Sequence, residues 1–97
     1  MHAIATVNGQ VIAETDNYEA VEGNIYFPPA SVDQKVFTKS DTHTHCPWKG
    51  DASYYNITTG KTELKDAAWY YPETFEKANH IKNYVAFYKT KVDVKSE

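Results

Sequence analysis

The densest chemistry in the chain runs from Ser40 to Tyr55: Ser40-Asp41-Thr42-His43-Thr44-His45-Cys46-Pro47-Trp48-Lys49-Gly50-Asp51-Ala52-Ser53-Tyr54-Tyr55. Cys46 is the only cysteine, and His43, His45 and Lys49 all fall within three residues of it. A thiol becomes a nucleophile when a cation or imidazolium lowers its pKa. One reading therefore makes Cys46 a nucleophile, His43 or His45 its base, and Lys49 with nearby backbone N–H groups the anion stabiliser. The other makes Cys46 a small buried hydrophobe beside Pro47, the commoner fate of a free cysteine. On extended backbone Cys46 shares a face with Thr44 and opposes His45. Lys49-Gly50 reads either as an anion-binding turn, with Gly50 baring its N–H groups, or as a lysine stem laid on Trp48.

His43 and His45 stand at i and i+2, on one face of a strand, with Cys46 and Asp41 as the nearest further ligands. A structural zinc usually takes more thiolates or a second ligand pair. His80 and His2 lie far away in sequence, so no metal and no cofactor is expected. Asp41 could orient His43 or bond the loop backbone, and Asp66 fits a turn before a strand. The aromatic residues form the second signal: eight Tyr, four Phe and two Trp make 14% of the chain. Tyr54-Tyr55 and Trp69-Tyr70-Tyr71 put adjacent rings on neighbouring strands. Alternation then sends rings to both faces of a sheet, one face core and the other a pocket wall or a dimer face.

Short strands must position these residues. Ala3 to Val7 and Gln10 to Glu14 flank Asn8-Gly9, the favoured pair for a type I′ hairpin turn. Tyr18 to Val21 and Ile25 to Phe27 flank a corner at Gly23-Asn24, and Pro28-Pro29 stops the second run. Ala30 to Gln34 suggests one helical turn with Ser31 as cap. Lys35 to Thr38 is a weak strand, Lys39 to His45 a loop or edge strand, and Cys46 to Gly50 is irregular. Ala52 to Ile57 and Ala67 to Tyr71 are strands around a turn at Thr58 to Lys61. Pro72-Glu73 opens a helix expected over Glu73 to Lys82, carrying Phe75, Ala78 and Ile81 at helical spacing. Val85 to Tyr88 returns to strand, Val92 to Val94 suggests another, and Lys95 to Glu97 is expected to fray. The fold class is therefore mainly β: one domain over residues 1–97, a small barrel or two-sheet sandwich of about seven or eight strands with one short helix near the C-terminus.

Net charge is −3, and all ten cations are lysines. Without arginine there is no bidentate phosphate clamp and no arginine finger, which argues against a nucleic-acid partner. One cysteine closes no internal disulfide, and Met1 to Gln10 lacks a basic region followed by an apolar run. A cytoplasmic location without a membrane partner is expected.

Four segments carry a resemblance: Val21-Glu22-Gly23-Asn24-Ile25-Tyr26-Phe27-Pro28, the stretch from Ser40 to Tyr55, Asp66-Ala67-Ala68-Trp69-Tyr70-Tyr71-Pro72, and Ile81-Lys82-Asn83-Tyr84-Val85-Ala86-Phe87-Tyr88. Together, with the core Thr-x-Cys-Pro-x-Lys-Gly-x-Ala-x-Tyr, they resemble the family called domain of unknown function 427. The resemblance implies a small, mostly-β cytosolic domain and carries the label nucleotidyltransferase. The sequence has no Gly-Ser pair, no Asp-x-Asp or Asp-x-Glu strand and no phosphate-binding Gly-x-x-x-x-Gly-Lys loop, the elements that such chemistry typically uses.

The expected function is binding of a small organic or anionic ligand in a cleft walled by Trp48, Tyr55, Trp69 and Tyr71. Lys49 and His43 would fix its polar end, with Asp41 and His45 close by. The alternatives are a group-transfer enzyme using Cys46, His43 and Lys49, and an interaction module whose aromatic edge forms a homodimer or takes a peptide.

Overall fold

A computed structural model describes all of residues 1–97. It is mainly β, with nine strands in three sheets and no closed barrel. Strands β1 (Ala3–Val7) and β2 (Gln10–Thr15) form the expected hairpin, with Asn8 and Gly9 at φ of 51° and 81°. Their register shifts between Ala5 and Thr6, because Ala5 pairs with Ala13 while Thr6 pairs with Val11. The extra residue is Ile12, and the bulge lets Ile12 and Ala13 both turn inward. β3 (Glu19–Val21) and β4 (Asn24–Tyr26) form a second hairpin. Its turn is Glu22-Gly23, at φ of 54° and 80°, one residue earlier than the sequence suggests.

Two single-turn 3₁₀ segments follow, Pro29–Ser31 and Gln34–Val36, in place of one turn capped by Ser31. The cap is Asp33, whose carboxylate accepts the Lys35 N–H. Then comes the four-stranded sheet, in the order β5 (Phe37–Cys46), β6 (Gly50–Thr59), β7 (Thr62–Tyr70), β8 (Val85–Phe87). The weak strand before Lys39 and the loop or edge strand expected over Lys39 to His45 are one ten-residue edge strand, interrupted by a register shift between Lys39 and His43. Asp66 holds that shift. Its carboxylate accepts the hydroxyls of Ser40 and Thr42, its N–H donates to Asn56 Oδ1, and its own φ is +50°. The Ser40 and then the Thr42 hydrogen bonds hold its carboxyl below the usual value. Asp66 is thus a strand-crossing anchor rather than a local turn residue.

The helix expected over Glu73 to Lys82 is a 3₁₀ segment, Glu76–Ile81. Its buried residues are Ala78 and Ile81. That i, i+3 pair matches a period of three residues per turn, so no longer amphipathic face is needed. Phe75 stays outside this core, half exposed. The tail expected to fray is ordered instead. β9 (Asp93–Ser96) pairs antiparallel with β1, and His2 and Glu97 exchange both backbone hydrogen bonds. No helix is long and apolar enough to cross a membrane.

The core has two parts. Residues of β1 and β2 (Ala3, Ala5, Val7, Ile12, Ala13) pack with Phe37, Ile57, Ala68, Val85 and Phe87 from one face of the four-stranded sheet. The opposite face carries a smaller cluster: Tyr26, Ala52, Tyr54, Trp69, Tyr71, Ala78, Ile81 and Ala86. Phe27 and Val85 exchange backbone hydrogen bonds, which lays the β3–β4 hairpin beside β8. Tyr26 then enters the second cluster and Phe27 the first.

Candidate functional site

The second cluster does not close over itself. It forms the floor of a cavity of about 440 Å³, within the range of small-molecule pockets. Tyr54 of β6 stands opposite Trp69 of β7, and Tyr71 follows two residues on, so alternation puts all three rings on one face. Tyr26 arrives from β4, and Tyr88 follows β8. The rings are fixed against each other. Trp69 lies 6.3 Å from Tyr26 at 88° and donates its indole N–H to the Tyr26 hydroxyl at 3.2 Å. Tyr88 lies 4.7 Å from Trp69 and parallel to Tyr54 at 6.4 Å. The Tyr88 hydroxyl donates to that of Tyr54 at 3.4 Å, and Tyr54 bonds Thr44 Oγ1 at 2.9 Å. Burial pushes the phenols of Tyr26, Tyr71 and Tyr88 up, that of Tyr88 to about 12. These three hydroxyls are therefore neutral donors at physiological pH.

Lys49 supplies the charge. It is 7% exposed, unusual for a lysine. Its Nζ lies 4.8 Å from the Trp48 ring and 5.9 Å from that of Tyr71, and it forms an ion pair with Glu22 at the tip of the β3–β4 hairpin. Burial opposes its charge most strongly, but the Glu22 hydrogen bond together with the electrostatic influence of Tyr26, Cys46 and Glu22 outweighs it, and the Lys49 ammonium is held above its ordinary pKa. Of the two readings of Lys49, an anion-binding turn or a stem laid on Trp48, the second finds the ammonium at the Trp48 ring, and the residue also lines the cavity.

Gly50 fixes where Lys49 points. Its φ is +121°, and a Cβ there would lie 2.7 Å from the Glu73 carbonyl oxygen. The Phe75 N–H donates to the Lys49 carbonyl at 3.1 Å, and Gly50 bridges Thr74. The β5–β6 turn is therefore pressed against the segment after Tyr71, and only a residue without a side chain allows that approach.

Cys46 is half-buried, its Sγ 3.8 Å from Lys49 Nζ. It packs on the aromatic cluster and shares its strand face with Thr44, as alternation predicts. Desolvation raises its pKa, but the N–H groups of Trp48 and Lys49 and the Lys49 charge outweigh that and hold the thiol below its ordinary value. The neighbouring cation is Lys49, not a histidine.

The remaining expected residues lie elsewhere. Tyr55 is on the opposite face of the sheet, stacked on Tyr70 at 4.4 Å and on Phe37 at 5.3 Å. The expected cleft wall is corrected there: Tyr54, the neighbour of opposite parity, takes the place given to Tyr55. His43 pairs with Ser53 at 3.3 Å and His45 with Asp51 at 2.6 Å, all on the solvent side of β5 and β6. Neither imidazole converges with Cys46 into a metal-binding group. Asp41 is exposed, within the irregular stretch of β5. Trp48 borders the site through Lys49 and leaves about a third of its surface to solvent. Sequence reasoning missed Tyr26, Tyr54, Tyr88, Lys89 and Glu22. Only Tyr54 carried a usable signal, the parity it shares with Trp69 in a hairpin.

No curated protein matches the sequence significantly. A family model described as a domain of unknown function, DUF427, matches residues 1–97, so the chain as a whole belongs to the DUF427 family.

Proposed function

We propose that this domain binds a small organic molecule in the aromatic cavity, with a ring against Trp69 and Tyr88 and a polar or anionic end toward Lys49. One observation carries the reading: a lysine whose charge is buried at the wall of a cavity built mainly from aromatic rings. Burying an ammonium is costly, and neither strand pairing nor the main core requires one there. Neutral phenols add directional hydrogen-bond donors, and the fixed ring geometry means little ordering cost on binding. The test is a thermal-shift screen of small aromatic acids, phenols and heterocycles at millimolar concentration. A ligand at a hundred times its Kd stabilises the fold by roughly 2.7 kcal/mol. Lys49→Met, which leaves the exposed Glu22 and the half-buried Cys46 thiol without their cation, is expected to keep the fold and abolish the shifts given by anionic compounds. Shifts that persist undiminished in Lys49→Met count against the reading.

The contact between Cys46 and Lys49 supports a second reading, in which the Cys46 thiolate adds to an acyl carbonyl carbon of the bound molecule and the C=O π pair moves onto oxygen as an alkoxide that Lys49 stabilises. Collapse of that alkoxide expels the leaving group and leaves a thioester, and water hydrolyses the thioester to release the acid and the thiolate. Cys46→Ser separates the two. It leaves binding intact under the first reading and abolishes turnover under the second.

A further inference from the structure

We infer that Glu22 is a resident carboxylate occupying the place of a ligand's own anionic group, so that the cavity takes aromatic molecules carrying one carboxylate and Glu22 sets the threshold for their entry. The inference rests on the binding function proposed above and specifies its ligand class.

The ion pair is unequal. The Lys49 side chain is 9% exposed and the Glu22 side chain 56%. Lys49 is held by the Trp48 and Tyr71 rings, by Cys46 and by the Gly50 turn. It cannot follow Glu22 into water. Glu22 can leave, because its carboxylate already faces solvent and regains full hydration outside. A buried ammonium deprived of its partner is unfavourable, so departure of Glu22 creates a demand for another anion, and the open route to Lys49 is the cavity that it lines.

Glu22 stands at φ +54°, where a residue with a Cβ is disfavoured and Asn or Gly is usual. The hairpin that carries it consists of two three-residue strands. Its tip is tied to the cavity mouth by one further side-chain contact, Lys89 Nζ donating to the Gly23 carbonyl at 2.7 Å. Lys89 also lines the cavity. A neutral ring entering the cavity leaves the ion pair in place. A carboxylate in the cavity competes with Glu22 for the Lys49 ammonium.

The test compares 4-hydroxyphenylacetate with its neutral amide, 4-hydroxyphenylacetamide, by Trp fluorescence titration of the wild-type chain, Glu22→Gln and Glu22→Asn. Asn suits the left-handed turn position, so the second variant keeps the test valid if the first folds poorly. Removing the competing carboxylate is expected to tighten the acid about tenfold, the equivalent of about 1.4 kcal/mol, and to leave the amide within about twofold. If the amide binds and the acid is unchanged or weakened in both variants, Glu22 is not a stand-in and the inference falls, while the binding function survives. If neither compound binds any of the three proteins, the binding function fails and takes the inference with it.

Discussion

Cys46 and Lys49 act on each other across 3.8 Å, and their coupling can be measured because the chain has one cysteine. Two N–H groups and the Lys49 charge favour the thiolate in the folded state over burial, which opposes it. The folded pKa is therefore depressed. Its stabilising contribution is present above the unfolded thiol value, about 8.5, and is lost as pH falls through the folded value. The rate of alkylation by iodoacetamide against pH is expected to show a native midpoint below that of the unfolded chain. Lys49→Met is expected to move the midpoint up, because the cation is lost while the burial remains. A native midpoint at or above the unfolded one would show that desolvation wins and that Cys46 is a packing residue. The residues of this pair were legible in the sequence. Trp48 and Tyr71 were named beside them, but Glu22 and Tyr26 were not, since both come from a hairpin distant along the chain.

At the scale of elements, Gly50 decides the geometry. The turn between β5 and β6 reaches the segment after Tyr71 so closely that a Cβ would stand 2.7 Å from a backbone oxygen, at a φ of +121°. Backbone cannot yield as a flexible side chain can. Gly50→Ala is therefore expected to destabilise the fold by about 2 kcal/mol or more, read from the denaturant midpoint. It is also expected to move Lys49 relative to Cys46, read as a shift in the alkylation profile. An unchanged midpoint would mean that the turn is not pressed against that segment in solution. The sequence marked Cys46 to Gly50 as irregular from its Pro and Gly; Pro47 to Lys49 form the turn, while Cys46 and Gly50 pair as the ends of β5 and β6. It left Lys39 to His45 between loop and edge strand, because Ser40, Asp41 and Thr42 read as loop residues until Asp66, two strands away, takes up the hydroxyls of Ser40 and Thr42.

Across the whole molecule, one sheet separates two clusters with different tasks. The larger one, between the three-stranded sheet and one face of the four-stranded sheet, holds the fold together. The smaller one carries the cavity. Ile57, fully buried in the larger cluster, is the place to separate them. Ile57→Ala is expected to cost about 2–5 kcal/mol, measured by urea unfolding, while ligand affinity at temperatures where the variant is folded stays within about twofold. A proportionate loss of affinity would mean that the two clusters are one mechanical unit.

Adjacent rings at Tyr54-Tyr55 and Trp69-Tyr70 already imply two aromatic faces, because alternation along a strand is a local property of extended backbone. The Asn8-Gly9 hairpin, the mainly-β class and the family resemblance were likewise legible from the chain alone, since turn chemistry and strand patterning act over a few residues. Which aromatic face stays open, however, depends on what covers each one. The larger cluster packs on the face of Tyr55 and Tyr70, while the edge hairpin, the 3₁₀ segment Glu76–Ile81, the β5–β6 turn and Tyr88 border the face of Tyr54 and Trp69 and leave it open. The ordering of Lys95 and Ser96 as a strand has the same origin, since β1 provides their partners from the other end of the chain. The charge at the cavity was decided there too: Lys49 is buried and paired because three elements meet around it, and no spacing along the sequence encodes that meeting.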